Sequence, residues 1–377
     1  MSSGRTHPAD EQPVARAAEG GIGRAVRGRP APSGRASVSC HDECQPGTSR
    51  GSASLAARDL VRHHRPVIEL QPDIELTVAQ AEQLLATWLG EPATCRKIHR
   101  LKGGLVNTVL RLEFDRPPYA AVVKLHGAGG GAFAREARAL RYLREETACP
   151  VPIPYLAGDA GDGLPFAFLL LELVPGTCLQ QVRLGAGERA DLDEQLASML
   201  LELHSHTGRA FGGIDARAST TSWADIFVPR LRSARDDPRV ADRLEPAQLA
   251  RVDAAIELAG PALADAGVPT LVHGDVWDGN LLVRHEARRW RLRGLLDPAP
   301  EFADVEVEIA YLEVFDASRP ALLAAYTSGH PLRPGYEYRR QFYWLQTALV
   351  HVGLFGDPFF RDYALRTANS ILGGPRS

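Results

Sequence analysis

The chain has 377 residues, 45% hydrophobic and 24% charged, with a formal net charge of −3, enough for two lobes with a sizeable core. A balance so near neutral gives no global reason to expect a polyanionic partner such as nucleic acid, and no apolar run is long enough to span a bilayer. Five cysteines, an odd number, lie scattered at Cys40, Cys44, Cys95, Cys149 and Cys178, which fits reduced thiols in the cytoplasm rather than a disulfide framework.

Charge is uneven along the chain. Residues 1–65 hold ten Arg against six Asp and Glu, a balance of +4 that leaves −7 for the rest. This stretch is rich in Gly, Ser, Pro and Ala and has neither apolar periodicity nor a signal-peptide core, so a disordered head is expected over residues 1–73. Cys40, His41 and Cys44 lack the second ligand pair that a tetrahedral zinc site needs.

Folded sequence is expected from Ile74. Thr77 caps a helix whose apolar positions Val78, Ala81, Leu84, Leu85 and Trp88 recur every three or four residues, and Gly90 ends it. Strands follow over 96–101, 106–114 and 119–126. Gly103-Gly104 joins the first two, where glycines let backbone N–H groups approach phosphate oxygens, although a double glycine is also ordinary turn chemistry.

Lys124 ends the apolar strand Ala120-Ala121-Val122-Val123 in a chain with three lysines against 40 arginines. A compact ammonium there suits the phosphates of a nucleotide; an edge lysine that discourages aggregation is the alternative. The helix expected over 132–145 carries Phe133, Ala137, Leu140 and Leu143 on one face. Glu136 lies one turn inside it, where it can pair with Lys124 and aim it. A buried strand over 166–174 then empties into Pro175-Gly176. At such a hinge the carbonyl of Glu172 and the N–H of Val174 would meet an adenine.

Beyond Gly176 the pattern is helical, over 188–206, 223–235, 246–258, 306–314, 321–328, 338–354 and 358–372. Within this region stands Val272-His273-Gly274-Asp275-Val276-Trp277-Asp278-Gly279-Asn280, followed at Leu295-Leu296-Asp297 by a second acidic stop. A strand over 281–284, a turn and a strand over 290–296 bring Asp297 back beside Asn280. An Asp, an Asn five residues on and a hairpin ending in Asp form the layout of a kinase catalytic loop. The first Asp accepts a hydroxyl proton, while the Asn and later Asp hold Mg²⁺ on the nucleotide phosphates. Asp, Gly and Asn are also common turn residues, but the leading His-Gly and the Leu-Leu-Asp at hairpin distance favour function.

From about residue 75 to 377 the chain resembles the fructosamine kinase family, a branch of the aminoglycoside-phosphotransferase-like kinases similar in fold to protein kinases. The matching residues are Val123-Lys124, the 133–140 helix with Glu136, Val151-Pro152, the stretch from His273 to Asn280, and Leu296-Asp297-Pro298-Ala299. Phe211-Gly212 before Trp223, and the segment from His351 to Gly356 with Phe355, are further landmarks.

The resemblance implies a bilobal α+β fold with a small antiparallel sheet and one key helix in an amino-terminal nucleotide lobe (74–174). A larger helical lobe (175–377) would hold catalysis and substrate. It implies ATP and Mg²⁺ as cofactors, Asp275 as base, Asn280 and Asp297 as metal ligands, Lys124 and Glu136 on the phosphates, and Trp277 beside the sugar. The expected acceptor is a ketosamine, small or protein-linked, in a deglycation role; the expected assembly is a monomer or weak dimer. An aminoglycoside kinase and a catalytically dead binding module are the alternatives, the latter disfavoured by the intact Lys124, Glu136, Asp275, Asn280 and Asp297. Two departures stand out. Leu105 follows Gly103-Gly104 where some members carry a cysteine, and Asp278 stands where a small hydroxyl residue is frequent.

Overall fold

The computed structural model describes residues 74–375 apart from 102–106, 128–130, 162, 216–218 and 316–318. The head and the Gly103-Gly104 turn therefore lie outside the described residues. Helix α1 (Val78–Leu89) opens on a capping box in which the Thr77 side chain accepts from the Gln80 N–H and the Gln80 side chain from the Thr77 N–H. It closes at Gly90, whose φ of 74° needs no Cβ.

Strands β1 (Cys95–Arg100), β2 (Thr108–Phe114), β3 (Ala120–His126), β4 (Pro154–Gly158) and β5 (Ala167–Glu172) form one antiparallel sheet in the order β1-β2-β3-β5-β4. Helix α2 (Ala132–Glu146) packs against β4 and β5. Alternation decides which side each residue serves. Phe168 and Leu170 join Leu84, Leu112 and Val123 in the core under α1. Leu169 and Leu171 join Phe133, Leu140 and Leu143 of α2. Covered on both faces, β5 is apolar along nearly its whole length, hence the unbroken run in sequence.

That second core is what places the site. It runs on through α3 (Ala186–Leu203) by Leu192, Leu196 and Leu200, and through Val276, Leu281, Val283 and Leu295 of the hairpin. The hairpin strands β10 (Leu281–Glu286) and β11 (Arg289–Leu295) pair with β6 (Thr177–Cys178) in a three-stranded sheet. A four-stranded sheet, β8-β7-β12-β9, is built from β7 (Phe211–Gly213), β8 (Ser219–Thr220), β9 (Thr270–Val272) and β12 (Glu301–Ala303).

The remaining helices are α4 (Ala224–Arg235), α5 (Pro238–Ala241), α6 (Pro246–Ile256), α7 (Ala259–Ala262), α8 (Glu306–Phe315), α9 (Pro320–Gly329), α10 (Tyr336–Phe355) and α11 (Pro358–Leu372). Residues of α4, α6, α10 and α11 close a third core around Trp223, Phe227, Phe342 and Tyr343. The helices read from periodicity recur with ends shifted by at most three residues. The strands β6 to β9 and β12, of two or three residues each, were not anticipated; such lengths carry no readable alternation.

Candidate active site

On β3, Ala121, Val123 and Leu125 fill the core under α1, so Lys124 points to the opposite face. Its Nζ donates to Glu136 Oε1 on α2 over 2.5 Å and to Asp297 Oδ1 beyond β11. The side chain is buried. Burial acts against the ammonium, but the carboxylates of Asp297 and Glu136 outweigh it and hold Lys124 above its usual range. The expected Lys124–Glu136 pair is present, and it reaches a third partner from the other lobe.

β9 runs directly into the loop from His273 to Asn280. Gly274 sits at φ 85°, and a Cβ there would stand 2.5 Å from the Ala299 carbonyl oxygen, so glycine is required twice over. The Ala299 N–H donates to the His273 carbonyl over 2.8 Å and the Leu296 N–H to the Asn280 carbonyl over 2.8 Å. Those two bonds bring Asp297 beside the loop, with Asp297 itself at φ 56°, a conformation that a short polar side chain tolerates.

Both oxygens of Asp275 are engaged. Tyr311 donates its hydroxyl to Oδ1 over 2.5 Å and Asn280 Nδ2 donates to Oδ2 over 2.7 Å. Burial raises the Asp275 carboxyl above its ordinary value, partly offset by these two bonds and reinforced by the nearby Asp297 and Glu308 charges. With its nitrogen committed to Asp275, Asn280 keeps its amide oxygen as an acceptor.

The loop is held from beneath by Glu308 of α8. Its Oε1 accepts from the Gly274 N–H over 2.7 Å, and its Oε2 accepts from the His273 N–H over 3.0 Å. Oε2 also meets His204 Nε2 at 2.9 Å, and His204 Nδ1 meets the Tyr326 hydroxyl at 2.7 Å. His273 is fully buried and pushed down to about 4 by desolvation, so it stays neutral. Asp278 is anchored sideways: Arg189 Nη2 donates to it over 2.6 Å and Arg319 Nη1 over 3.2 Å, while Arg319 also binds the buried Asp193.

Two cavities meet at Asp275. One, of about 790 Å³, is lined by Lys124, Glu136, Asn280, Asp297 and Asp275. The other, of about 630 Å³, is lined by Asp275, Trp277, Tyr311, Phe315, His351 and Phe360, among others. Trp277 lies across Gly279, where any side chain would strike its ring, and faces Phe315 with centroids 6.1 Å apart. It lines a cavity rather than filling a core. Glu172 and Val174 line neither cavity. The Glu172 N–H donates to the Ile153 carbonyl over 2.9 Å, and its carboxylate accepts from the Ile153 N–H over 3.1 Å.

Tyr311, Glu308 and His204 were not singled out from sequence. The one available signal was the set of acids, Glu306, Glu308 and Glu313, inside an otherwise apolar helix: buried carboxylates need partners.

The description of the family model that matches residues 77–372 is fructosamine kinase. The protein called "Probable ketoamine kinase" in Synechocystis is 30% identical over 294 residues, covering 73% of this chain and 90% of its own. The chloroplastic protein-ribulosamine 3-kinase of Arabidopsis thaliana is 25% identical, covering 80% and 90%. Among solved structures, a Thermobifida fusca protein named for fructosamine-3-kinase superposes with a TM-score of 0.60 at 23% identity, covering 79% of this chain and all of that one. Aminoglycoside phosphotransferase APH(4)-Ia superposes with a TM-score of 0.57 at 16% identity, covering 80% and 100%. The fold is thus the bilobal α+β arrangement of these phosphotransferases. With the match running from the cap of α1 to the end of α11, the chain belongs to the fructosamine kinase family.

Proposed function

We propose that this protein transfers the γ-phosphoryl group of ATP to a hydroxyl of a ketosamine, a sugar joined to an amine, small or protein-linked. The observation that carries the reading is the junction of the two cavities at Asp275, with Lys124, Glu136, Asn280 and Asp297 on one side and an aromatic wall on the other. In this reading residues 74–174 hold the nucleotide, with Glu172 and Val174 as hinge contacts and Gly103-Gly104 over the phosphates. Residues 175–377 supply the base and the acceptor pocket. The free thiols of Cys95, Cys149 and Cys178 support a cytoplasmic setting.

Asn280 and Asp297 fit Mg²⁺. Both offer hard oxygens, two protein donors in all. That fits an ion that takes most of its ligands from phosphate and water. When bound, the ion would neutralise charge on the phosphate oxygens.

The protein's own residues do the rest. Lys124, fixed by Glu136, offers its ammonium to phosphate oxygens. Asp275 orients the acceptor hydroxyl and takes its proton as the oxygen attacks phosphorus. Asn280 and Tyr311 hold the carboxylate in one rotamer for that task. Trp277, Phe315 and Phe360 present flat apolar faces to the C–H surface of a sugar and exclude water from the reacting oxygen.

The reading is tested by ATP turnover with a panel of ketosamines and aminoglycosides. Phosphorylation of ketosamines is expected. Turnover with aminoglycosides alone would reject the acceptor class, and Mg-ATP binding without any turnover would favour a binding module.

A further inference from the structure

Four described residues line both cavities: Asp275, Trp277, Glu301 and Arg230. They form the threshold that a phosphoryl group crosses between nucleotide and acceptor. Arg230 is the only Lys or Arg among the described residues that faces both sides. Lys124, by contrast, belongs to the nucleotide side.

Arg230 rises from α4, whose Trp223 end is anchored in the core at 1% exposure; its guanidinium stands 5.7 Å from the centre of that indole ring. It binds Glu301 through both nitrogens, Nη1 to Oε1 over 2.6 Å and Nη2 to Oε2 over 2.5 Å. Glu301 is positioned by strand pairing. It lies opposite Val272 of β9, three residues before Asp275. The carboxylate therefore occupies the fork of a guanidinium beside the catalytic loop, with the same two-point geometry that phosphoryl oxygens adopt. The Arg230 side chain is 42% exposed and that of Glu301 17%; the two-point fork makes the pair stronger than an ordinary surface pair, so turning to phosphate exchanges one bidentate acceptor for another.

We propose that Arg230 is a catalytic residue: it leaves Glu301 and binds the equatorial oxygens of the phosphoryl group in transit. This rests on the kinase reading of the site. In the step the bond from the bridging oxygen to the γ-phosphorus breaks, with its electron pair remaining on ADP. The acceptor oxygen bonds to phosphorus, and its proton passes to Asp275. Arg230 makes and breaks no covalent bond. It neutralises charge spread over three oxygens in a loose transition state, where a cation acts more strongly than on either ground state.

The test is steady-state kinetics of Arg230→Gln and Arg230→Lys beside Asp275→Asn, with thermal midpoints recorded. Arg230→Gln should lower kcat by roughly a hundredfold or more, with the KM values for ATP and acceptor changing by less than about threefold. Arg230→Lys should recover part of the loss. A kcat within about twofold of the parent would overturn the inference. So would a rise in acceptor KM alone, which would put Arg230 on the acceptor, or equal losses in both Arg230 variants together with a fall in midpoint. Full activity in Arg230→Gln with loss in Asp275→Asn overturns this inference only. Loss in Arg230→Gln with full activity in Asp275→Asn overturns the underlying reading of the base.

Discussion

Tyr311 and Asp275, 36 residues apart in the chain, meet in a 2.5 Å hydrogen bond from phenol to carboxylate. Tyr311 also lines the aromatic cavity, so the bond sits on the side from which an acceptor hydroxyl would arrive. The tyrosine holds the Asp275 carboxylate in place and lowers a carboxyl that burial has raised.

Tyr311→Phe removes that bond while keeping the ring. The Asp275 carboxyl should then titrate higher, and since the base acts ionised, the acid limb of kcat/KM should move to higher pH. At neutral pH kcat should fall about tenfold, the size expected for losing one charge-assisted hydrogen bond. A pH–rate profile checks both; an unmoved acid limb would show that Tyr311 does not act on the base.

Glu308 carries a structural load of the same kind. Its carboxylate, 2% exposed, accepts from the His273 and Gly274 N–H groups and meets His204. Burial raises it, yet the bond from His204 prevails and its carboxyl is lowered. Its contribution is therefore present above the unfolded value and lost as pH falls through the folded one. Glu308→Ala should cost about 3–5 kcal/mol, the range for breaking a buried pair, and loosen the catalytic loop so that kcat falls as well. Urea unfolding of the variant gives the first number. A cost below about 1 kcal/mol would mean that Glu308 behaves as a surface charge.

His273 and His351 are both pushed by burial from 6.5 down to about 4. His351 is anchored at Nδ1 to the Thr347 carbonyl at 2.7 Å, a bond that opposes the shift. Between those values the unfolded chain binds protons that the folded chain refuses. Stability is therefore full above 6.5 and declines as pH falls towards 4. At about 1.4 kcal/mol per pKa unit, the buried His273 removes up to about 3 kcal/mol, and His351, which lines the aromatic cavity, removes less. Urea midpoints at several pH values should show the fall, and His351→Gln should make it shallower. A midpoint independent of pH over that interval would contradict the burial of both rings.

Local signals carried most of the fold and part of the site. The Thr77 cap, the Gly90 stop and the face of Phe133, Ala137, Leu140 and Leu143 were legible because each is a short-range pattern. The Lys124–Glu136 pair was legible because 12 residues separate its members across one turn into a helix. The hairpin from Leu281 to Leu295 announced itself by spacing. Tyr311 on Asp275, Glu308 on Gly274 and Arg230 on Glu301 were not legible, with 34 to 71 residues between partners. Those contacts exist only once α4 and α8 have packed beside β9 and β12, and nothing in a linear pattern specifies that meeting. The very short strands escaped for a related reason: their pairing is set by neighbours from distant segments.

Asp275 as the base is the centre of the reading, and Asp275→Asn tests it most directly, since the amide keeps the shape and loses the proton acceptor. Turnover with a ketosamine and ATP is measured beside ATP affinity. The base assignment predicts a fall in kcat of roughly a hundredfold or more with ATP binding retained. Turnover equal to that of the parent protein would contradict it.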